Sequence, residues 1–129
     1  MLPMEETIRA FLDRYGQALS TGDLPAIVAC WEVPALVLSD QGARAVSEVA
    51  EIEGFFAGAV QWYRAQGMVA TRPEDVRVEP LSARLASVDV TWSAQNAAGE
   101  TVSAERSRYI LSIADDGAPR VRVAVSLPA

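Results

Sequence analysis

Glu105, Ser107 and Tyr109 alternate along one stretch of the chain, and their types make it the first candidate for chemistry. Successive side chains of a β-strand point to opposite faces, so a strand here carries a carboxylate, a hydroxyl and a phenol on one face. Arg106 and Arg108 then lie on the other face. A carboxylate can move protons, and hydroxyl groups can donate hydrogen bonds to a substrate oxygen.

The preceding segment of the chain predicts the surroundings of Glu105. Val88, Val90 and Trp92 alternate with the same period and are expected to share its inward face, while Asp89 faces outward beside the arginines. Apolar neighbours would desolvate Glu105, favour its protonated form and suit it to acid–base catalysis. The alternative is that Glu105 lies solvated at the rim of a pocket or pairs with an arginine.

Two residues outside this strand are further candidates. Tyr15 lies on the apolar face of a predicted helix, either as a hydrogen-bond donor to a ligand or as a core tyrosine. Asp40 is the alternative acid or base to Glu105, although an Asp in a turn also hydrogen-bonds its own backbone. Ser107 is expected to donate to a ligand oxygen or to fill the core. The predicted walls of the pocket are Trp31, Phe55, Val90, Trp92 and Tyr109.

The residue types that are absent exclude several chemistries. The chain has no His and a single Cys, so a His or Cys metal site and an internal disulfide are not predicted. Ser107 lacks the His or Lys that normally activates a serine nucleophile. The candidate site is therefore predicted to work without a metal or cofactor.

Charge and hydropathy restrict the partners. With 11 basic and 17 acidic residues the net charge is −6, which argues against nucleic acid, where clustered Lys and Arg neutralise phosphates. The sequence begins MLPMEETIRAF, without the basic start and apolar run of a signal peptide, and no apolar stretch has the length of a membrane span. We expect a cytoplasmic protein, with residues 1–129 forming one domain.

The first third of the chain predicts two helices. Apolar residues at helical spacing indicate a helix from Glu5 to Leu19, which Gly22 ends. Asp23 is expected to cap a second helix that Pro34 stops. The predicted core residues of the second helix are Ile27, Val28, Cys30 and Trp31.

The remainder predicts a short strand, a long helix and a meander. A short buried strand over residues 35–38 is followed by a helix from Ser47 to about Gln66, with Gly67 at its C-terminal cap. Its expected buried stripe contains Val49, Ile52, Phe55, Phe56, Val60 and Tyr63. Strands are expected over residues 76–81, 85–94, 101–113 and 120–127. This order indicates an α+β fold in which a curved, mostly antiparallel sheet wraps around the long helix as a cone with an open cavity.

Several short pieces of sequence resemble a known family. Arg14-Tyr15, Gly22-Asp23, Ile27-Val28-Ala29 and Trp31 resemble the opening of a ketosteroid isomerase, and Thr101-Val102, Ala104 and Tyr109 resemble its penultimate strand. With the order of elements, this resembles the nuclear-transport-factor-2-like superfamily, which includes ketosteroid isomerases, SnoaL-type polyketide cyclases and scytalone dehydratase.

The resemblance implies roles that this chain matches only in part. The oxyanion-hole tyrosine of the isomerases falls on Tyr15. Their general-base aspartate falls on Ser39, with Asp40 one residue late, and their second oxyanion donor, an aspartate, falls on Ser107. Scytalone dehydratase relies on His, which this chain lacks.

Two functions remain open from the sequence. The first is a cofactor-independent isomerase, cyclase or dehydratase that acts by proton transfer on an uncharged, ring-containing substrate. The second is a ligand-binding or dimerisation module, or accessory subunit, without catalysis. A homodimer is expected in either case, and Ile110 on the outer face of the sheet is the hint of such a surface.

Overall fold

The computed structural model describes residues 4–128, where helices precede and interrupt a single sheet. The elements are α1 (Met4–Thr21), α2 (Leu24–Ala29), β1 (Trp31–Ser39), β2 (Gly42–Val46), α3 (Val49–Ala65), β3 (Met68–Pro80), β4 (Leu85–Asn96), β5 (Thr101–Ile113) and β6 (Pro119–Leu127). The strand order is β2-β1-β6-β5-β4-β3, with β1 and β6 parallel and the other neighbours antiparallel. The sheet is curved and unclosed, which confirms the predicted α+β architecture.

Helix α1 packs along the sheet through the face that the sequence predicts. Ile8, Phe11, Leu12 and Tyr15 recur at helical spacing and are buried. Gly16 lies beside them, and a Cβ atom there would be 3.1 Å from Cζ3 of Trp92. The helix can approach β4 this closely because residue 16 has no side chain.

The second helix is shorter than expected and Trp31 lies outside it. Asp23 caps α2 as predicted, since its carboxylate accepts a hydrogen bond of 3.2 Å from the Ala26 amide. The helix ends at Ala29, before Pro34 is reached, and Trp31 begins β1. The assignment of Trp31 to α2 was wrong, because the chain leaves the helix at this point to pair with β6. The first contact of this pairing is a 2.8 Å hydrogen bond from the Val121 amide to the Cys30 carbonyl.

Helix α3 covers the concave side of the sheet. Glu48, not Ser47, is its N-cap, and Gly67 follows it with φ of +82° in the predicted position. Of the predicted buried stripe only Ile52 is fully buried, while Phe55 is 60% exposed. The other side chains of the stripe remain accessible to solvent because they border a cavity and not a filled core.

Strand β3 is longer than the sequence indicates. The chain already pairs with β4 from Met68, where a strand was predicted only from residue 76. Charged residues and Pro73 hide this strand in the sequence, and an edge strand tolerates both because its outer backbone groups need no partner. A register shift between Glu74 and Arg77 contains Asp75, whose φ is 51°.

Strands β4 and β5 have the register that the alternation predicts. Glu105 pairs with Trp92, Ser107 with Val90 and Tyr109 with Val88 on the concave face. On the outer face Arg108 makes two hydrogen bonds to the Asp89 carboxylate, of 2.6 and 2.9 Å. No helix within residues 4–128 is long and apolar enough to cross a membrane.

Candidate functional site

A cavity of about 290 Å³ lies between α3 and the concave face of the sheet. The middle of its helical wall is apolar, with Ile52, Phe55, Phe56, Ala59 and Val60, and α3 adds the polar side chains of Glu51, Tyr63 and Arg64. Its sheet wall is mixed, because the inward side chains of β5 include hydroxyl groups and a carboxylate. The cavity therefore offers a hydrophobic side for a flat ring and a polar side for oxygen atoms.

Two tryptophan–tyrosine pairs close the inner end of this cavity. The indole N–H of Trp31 donates a 3.0 Å hydrogen bond to the hydroxyl of Tyr15, and that of Trp92 donates a 2.9 Å bond to Tyr109. The Tyr15 ring lies 5.7 Å from the Trp92 ring and 6.3 Å from the Tyr109 ring, in edge-to-face contact with both. All four side chains are buried and line the cavity.

The direction of these hydrogen bonds determines what the tyrosines can do. An indole N–H can only donate, so each tyrosine oxygen accepts and keeps its own hydrogen for another acceptor. Within residues 4–128 the Tyr15 hydroxyl has no protein acceptor at hydrogen-bonding distance. A ligand oxygen in the cavity can take that place.

Burial keeps both phenols in the neutral, donating form. It raises the pKa of Tyr15 well above its usual range, and the nearby Tyr109 adds to this, although the bond from Trp31 acts in the opposite direction. Burial also raises the pKa of Tyr109 to about 12, against the opposing hydrogen bonds of Trp92 and Ser107. Near neutral pH both hydroxyls are therefore donors.

Glu105 occupies the rim of the cavity, not its interior. Its side chain lines the opening but is exposed, and its Oε1 accepts a 2.6 Å hydrogen bond from the Tyr63 hydroxyl on α3. Burial, with the hydrogen bond and charge of Glu105, raises the pKa of Tyr63. Of the two positions that the sequence left open for Glu105, a desolvated site and the solvated rim, the structure shows the rim, because this part of β5 extends past the core to the open end of the cone.

Two of the predicted site residues lie away from the cavity. Asp40 is exposed in the two-residue turn that joins β1 to β2, because the pairing of Ser39 with Gly42 places it at the tip of the hairpin. Val90 has the predicted inward direction, but it is 2% exposed within the core cluster and does not line the cavity. Neither residue can contact a ligand bound there.

The other predicted residues are brought together. The cavity is lined by Tyr15, Trp31, Phe55, Trp92, Glu105, Ser107 and Tyr109. Phe55 stands at the opening, and Ser107 is half-buried between Glu105 and Tyr109.

Tyr63 and Arg44 are among the polar residues of the cavity wall that were not predicted from the sequence. Tyr63 was expected to be an ordinary member of the buried stripe of α3, and only its position opposite Glu105 distinguishes it. Arg44 on β2 also lines the cavity. Little in the sequence indicated that Arg44 faces the cavity, because β2 is a short edge strand whose sequence cannot be distinguished from that of a loop. Among residues 4–128 no group of three His, Cys, Asp or Glu side chains could hold a metal ion.

The curved sheet around α3, with a cavity between them, is the fold of the nuclear-transport-factor-2-like superfamily, which confirms the resemblance found in the sequence. The chain belongs to the family described as NTF2-like protein (DUF6841), whose profile matches residues 5–129. No curated protein matches the sequence.

Solved structures share this fold at low sequence identity. A cystatin-like-fold protein from Nostoc punctiforme superposes with a TM-score of 0.75 at 9% identity, covering 95% of this chain and 88% of its own. An NTF2-like protein from Novosphingobium aromaticivorans gives 0.74 at 17% identity, with 95% and 79% covered. A protein from Shewanella frigidimarina, named provisionally as a ketosteroid isomerase, gives 0.69 at 11% identity, with 92% of each chain covered. Identities this low establish the fold alone.

Proposed function

We propose that this protein binds a ring-containing small molecule in the cavity and that Tyr15 and Tyr109 donate hydrogen bonds to an oxygen of that molecule. The observation that carries the proposal is the pair of indole-to-phenol hydrogen bonds at the inner end, of 3.0 and 2.9 Å. Each bond holds a tyrosine oxygen as an acceptor, so that the Tyr15 proton is left for the ligand and the Tyr109 proton is shared between the ligand and the neighbouring Ser107. The apolar wall of α3 suits the flat face of a ring.

A matched pair of probes tests the hydroxyl donors. 2-Acetonaphthone carries a ketone oxygen, and 2-ethylnaphthalene has a similar shape without one. We expect the ketone to bind about thirtyfold more tightly, because one neutral hydrogen bond contributes about 1 kcal/mol and two are available. Quenching of Trp31 and Trp92 reports binding, in a Trp62→Phe background that removes the exposed tryptophan.

Variants then assign the preference to the tyrosines. Tyr15→Phe and Tyr109→Phe should each reduce the preference for the ketone several-fold, while Leu81→Ala, at an exposed site that does not line the cavity, serves as the control. Equal affinities for the two probes, or a preference that survives both variants, would refute the proposal.

Proton-transfer catalysis is the second candidate, and the position of Glu105 favours it. Its carboxylate borders the cavity, and its Oε2 has no partner within residues 4–128. A carboxylate next to a bound ketone can remove a proton from the carbon beside the carbonyl while Tyr15 and Tyr109 stabilise the resulting enolate oxygen. The proton returned to another carbon would complete an isomerisation.

Exchange of the acetyl protons of 2-acetonaphthone in heavy water tests this candidate. Catalysis by Glu105 predicts exchange above the buffer rate in the wild type, reduced at least about a hundredfold in Glu105→Gln with binding retained. Binding without accelerated exchange favours the non-catalytic ligand-binding module.

We further propose that the protein forms a homodimer through the outer face of the sheet. Cross-strand pairing joins Leu36 to Val123 and Ile110 in one row, and Leu38 to Val125 and Arg108 in the next. The apolar side chains are half-buried in the single chain. Asp89 and Arg108 at one side of this patch are paired with each other, so two copies related by a twofold axis can match apolar surface without burying an unpaired charge.

A further inference from the structure

Arg44 is the one charged residue of the cavity wall that has no partner within residues 4–128. The charged residues that line the cavity are Arg44, Glu51, Arg64 and Glu105. Glu51 accepts a hydrogen bond from the Ser47 amide, Arg64 donates to the Thr21 carbonyl, and Glu105 accepts from a tyrosine. The guanidinium of Arg44 makes no ion pair or hydrogen bond in that range, which leaves its donors for a ligand.

The sheet places Arg44 and Tyr109 on one line across the cavity floor. Arg44 pairs with Val37 on β1, Val37 with Ala124 on β6, and Ala124 with Tyr109 on β5. Directly paired residues of neighbouring strands have side chains on the same face. From the rim to the inner end, the cavity floor therefore presents the cation of Arg44, the small apolar side chains of Val37 and Ala124, and the phenol of Tyr109.

The spacing along this line sets the length of a ligand that reaches both ends. Neighbouring strands lie about 4.8 Å apart, so the Cα atoms of Arg44 and Tyr109 are separated by roughly 14 Å. Both side chains project over the floor and the sheet curves towards α3, which shortens the gap between the guanidinium and the phenol. A molecule of two fused rings, with a polar group at each end, fits this span above Val37 and Ala124.

The charges around Arg44 indicate which anion it would bind. A guanidinium binds a carboxylate through two parallel hydrogen bonds. Glu51 and Glu105 line the same cavity and the chain carries a net charge of −6, which disfavours a doubly charged phosphate. A single negative charge on one planar group matches the single free guanidinium.

We propose that the ligand is a ring-containing monocarboxylic acid, with its carboxylate on Arg44 at the rim and its other oxygen on the tyrosines at the inner end. This inference rests on the proposed function and changes it in one respect, because the sequence led us to expect an uncharged ligand. Arg44 is then the residue that determines specificity.

The test compares 6-hydroxy-2-naphthoate with its neutral amide, 6-hydroxy-2-naphthamide, near neutral pH. Because Arg44 is exposed, the wild type should bind the acid about threefold to fivefold more tightly. That preference should disappear in Arg44→Gln and persist in Arg72→Gln, which removes an exposed arginine on the outer face. It should also shrink with added salt in the wild type, a readout that needs no variant.

The outcomes separate this inference from the proposed function. Equal binding of acid and amide by the wild type, or a preference that survives Arg44→Gln, would overturn the role of Arg44. If the amide still binds and is weakened by Tyr109→Phe, the tyrosine site stands without it. Failure of both probes to bind would overturn the two proposals together.

Discussion

The Tyr63 hydroxyl on α3 donates a 2.6 Å hydrogen bond to the Glu105 carboxylate on β5, across the rim of the cavity. This bond joins a helix with few buried side chains to a central strand of the sheet. It also occupies one oxygen of the carboxylate that borders the cavity. Under the proposed function, ligand binding and the position of α3 are therefore coupled at this point.

Removing the Tyr63 hydroxyl should loosen the second half of α3. For Tyr63→Phe we expect the free energy of unfolding to fall by no more than about 1 kcal/mol, since the acceptor is exposed. Amide hydrogen exchange in the last two turns of α3 should become faster. Trp62→Phe, at an exposed neighbouring position, is the control, and equal exchange in the two variants would contradict the prediction.

The bond between Trp92 and Tyr109 should appear as a coupling energy. In a double-mutant cycle with Trp92→Phe and Tyr109→Phe we expect about 1 kcal/mol of coupling in the free energy of unfolding, the usual contribution of a buried hydrogen bond. Trp62→Phe combined with Tyr109→Phe should give almost none. Urea denaturation of the variants measures both values, and additive effects in the first cycle would contradict a formed bond.

Stability should fall in alkaline solution because of the buried tyrosines. Tyr109 has a pKa of about 12 in the folded chain, against an ordinary value of 10.0. Between these values the folded state holds a proton that the unfolded chain has lost, so the free energy of unfolding falls with rising pH by about 1.4 kcal/mol per unit. Well below pH 10 Tyr109 is protonated in both the folded and the unfolded state, so it does not make the free energy of unfolding depend on pH. Urea midpoints across that window should decline less steeply in Tyr109→Phe, and identical slopes would contradict the prediction.

Three helical glycines should respond to alanine in opposite directions. A Cβ at Gly16 would meet Trp92 at 3.1 Å and Pro73 at 3.3 Å, whereas at Gly54 and Gly58 nothing lies within 4 Å. Alanine in a helix interior is about 1 kcal/mol more favourable than glycine. We expect Gly54→Ala and Gly58→Ala to stabilise by about that amount. Gly16→Ala should destabilise by about 1 kcal/mol, because the hydrogen-bonded Trp92 cannot move away. Thermal unfolding compares the three, and a stabilising Gly16→Ala would show that α1 can shift.

The proposed dimer should dissociate when charge enters its apolar centre. Ile110→Asp places a carboxylate on the outer face beside Val123, and we expect the mass measured by light scattering to fall from two chains to one. Leu81→Asp, at an exposed site in the turn after β3, should leave the dimer intact. A wild-type protein that is monomeric at micromolar concentration would rule out the interface.

The register of β5 was predictable because two independent patterns agree on it. Alternation alone does not show which face of β5 points inward. The placement of Arg106 and Arg108 beside the polar Asp89 and Thr91 identifies the outer face, and the observed strand pairing agrees with it. The sequence could not show how far β5 extends beyond the core. Depth within the cone depends on the length of neighbouring strands, so the sequence could not decide whether Glu105 lies inside the cavity or at its rim.

The position of Trp31 illustrates the other limit. Local spacing favours a helix through this residue, and only pairing with β6 draws it into a strand. That partner lies some ninety residues further along the chain, outside any window in which periodicity can be read. The failure to predict β3 before residue 76 has a similar cause, because an edge strand is defined by its neighbour and not by its own composition.

The parallel pairing of β1 with β6 has a consequence for synthesis on the ribosome. Trp31 is held in place by the last strand, through Val121. Until that strand leaves the exit tunnel, the Trp31–Tyr15 contact has no scaffold and β1 can pair only with its hairpin partner. The inner end of the cavity is thus completed only after β6 has been made, although Tyr15 and Trp31 are made early.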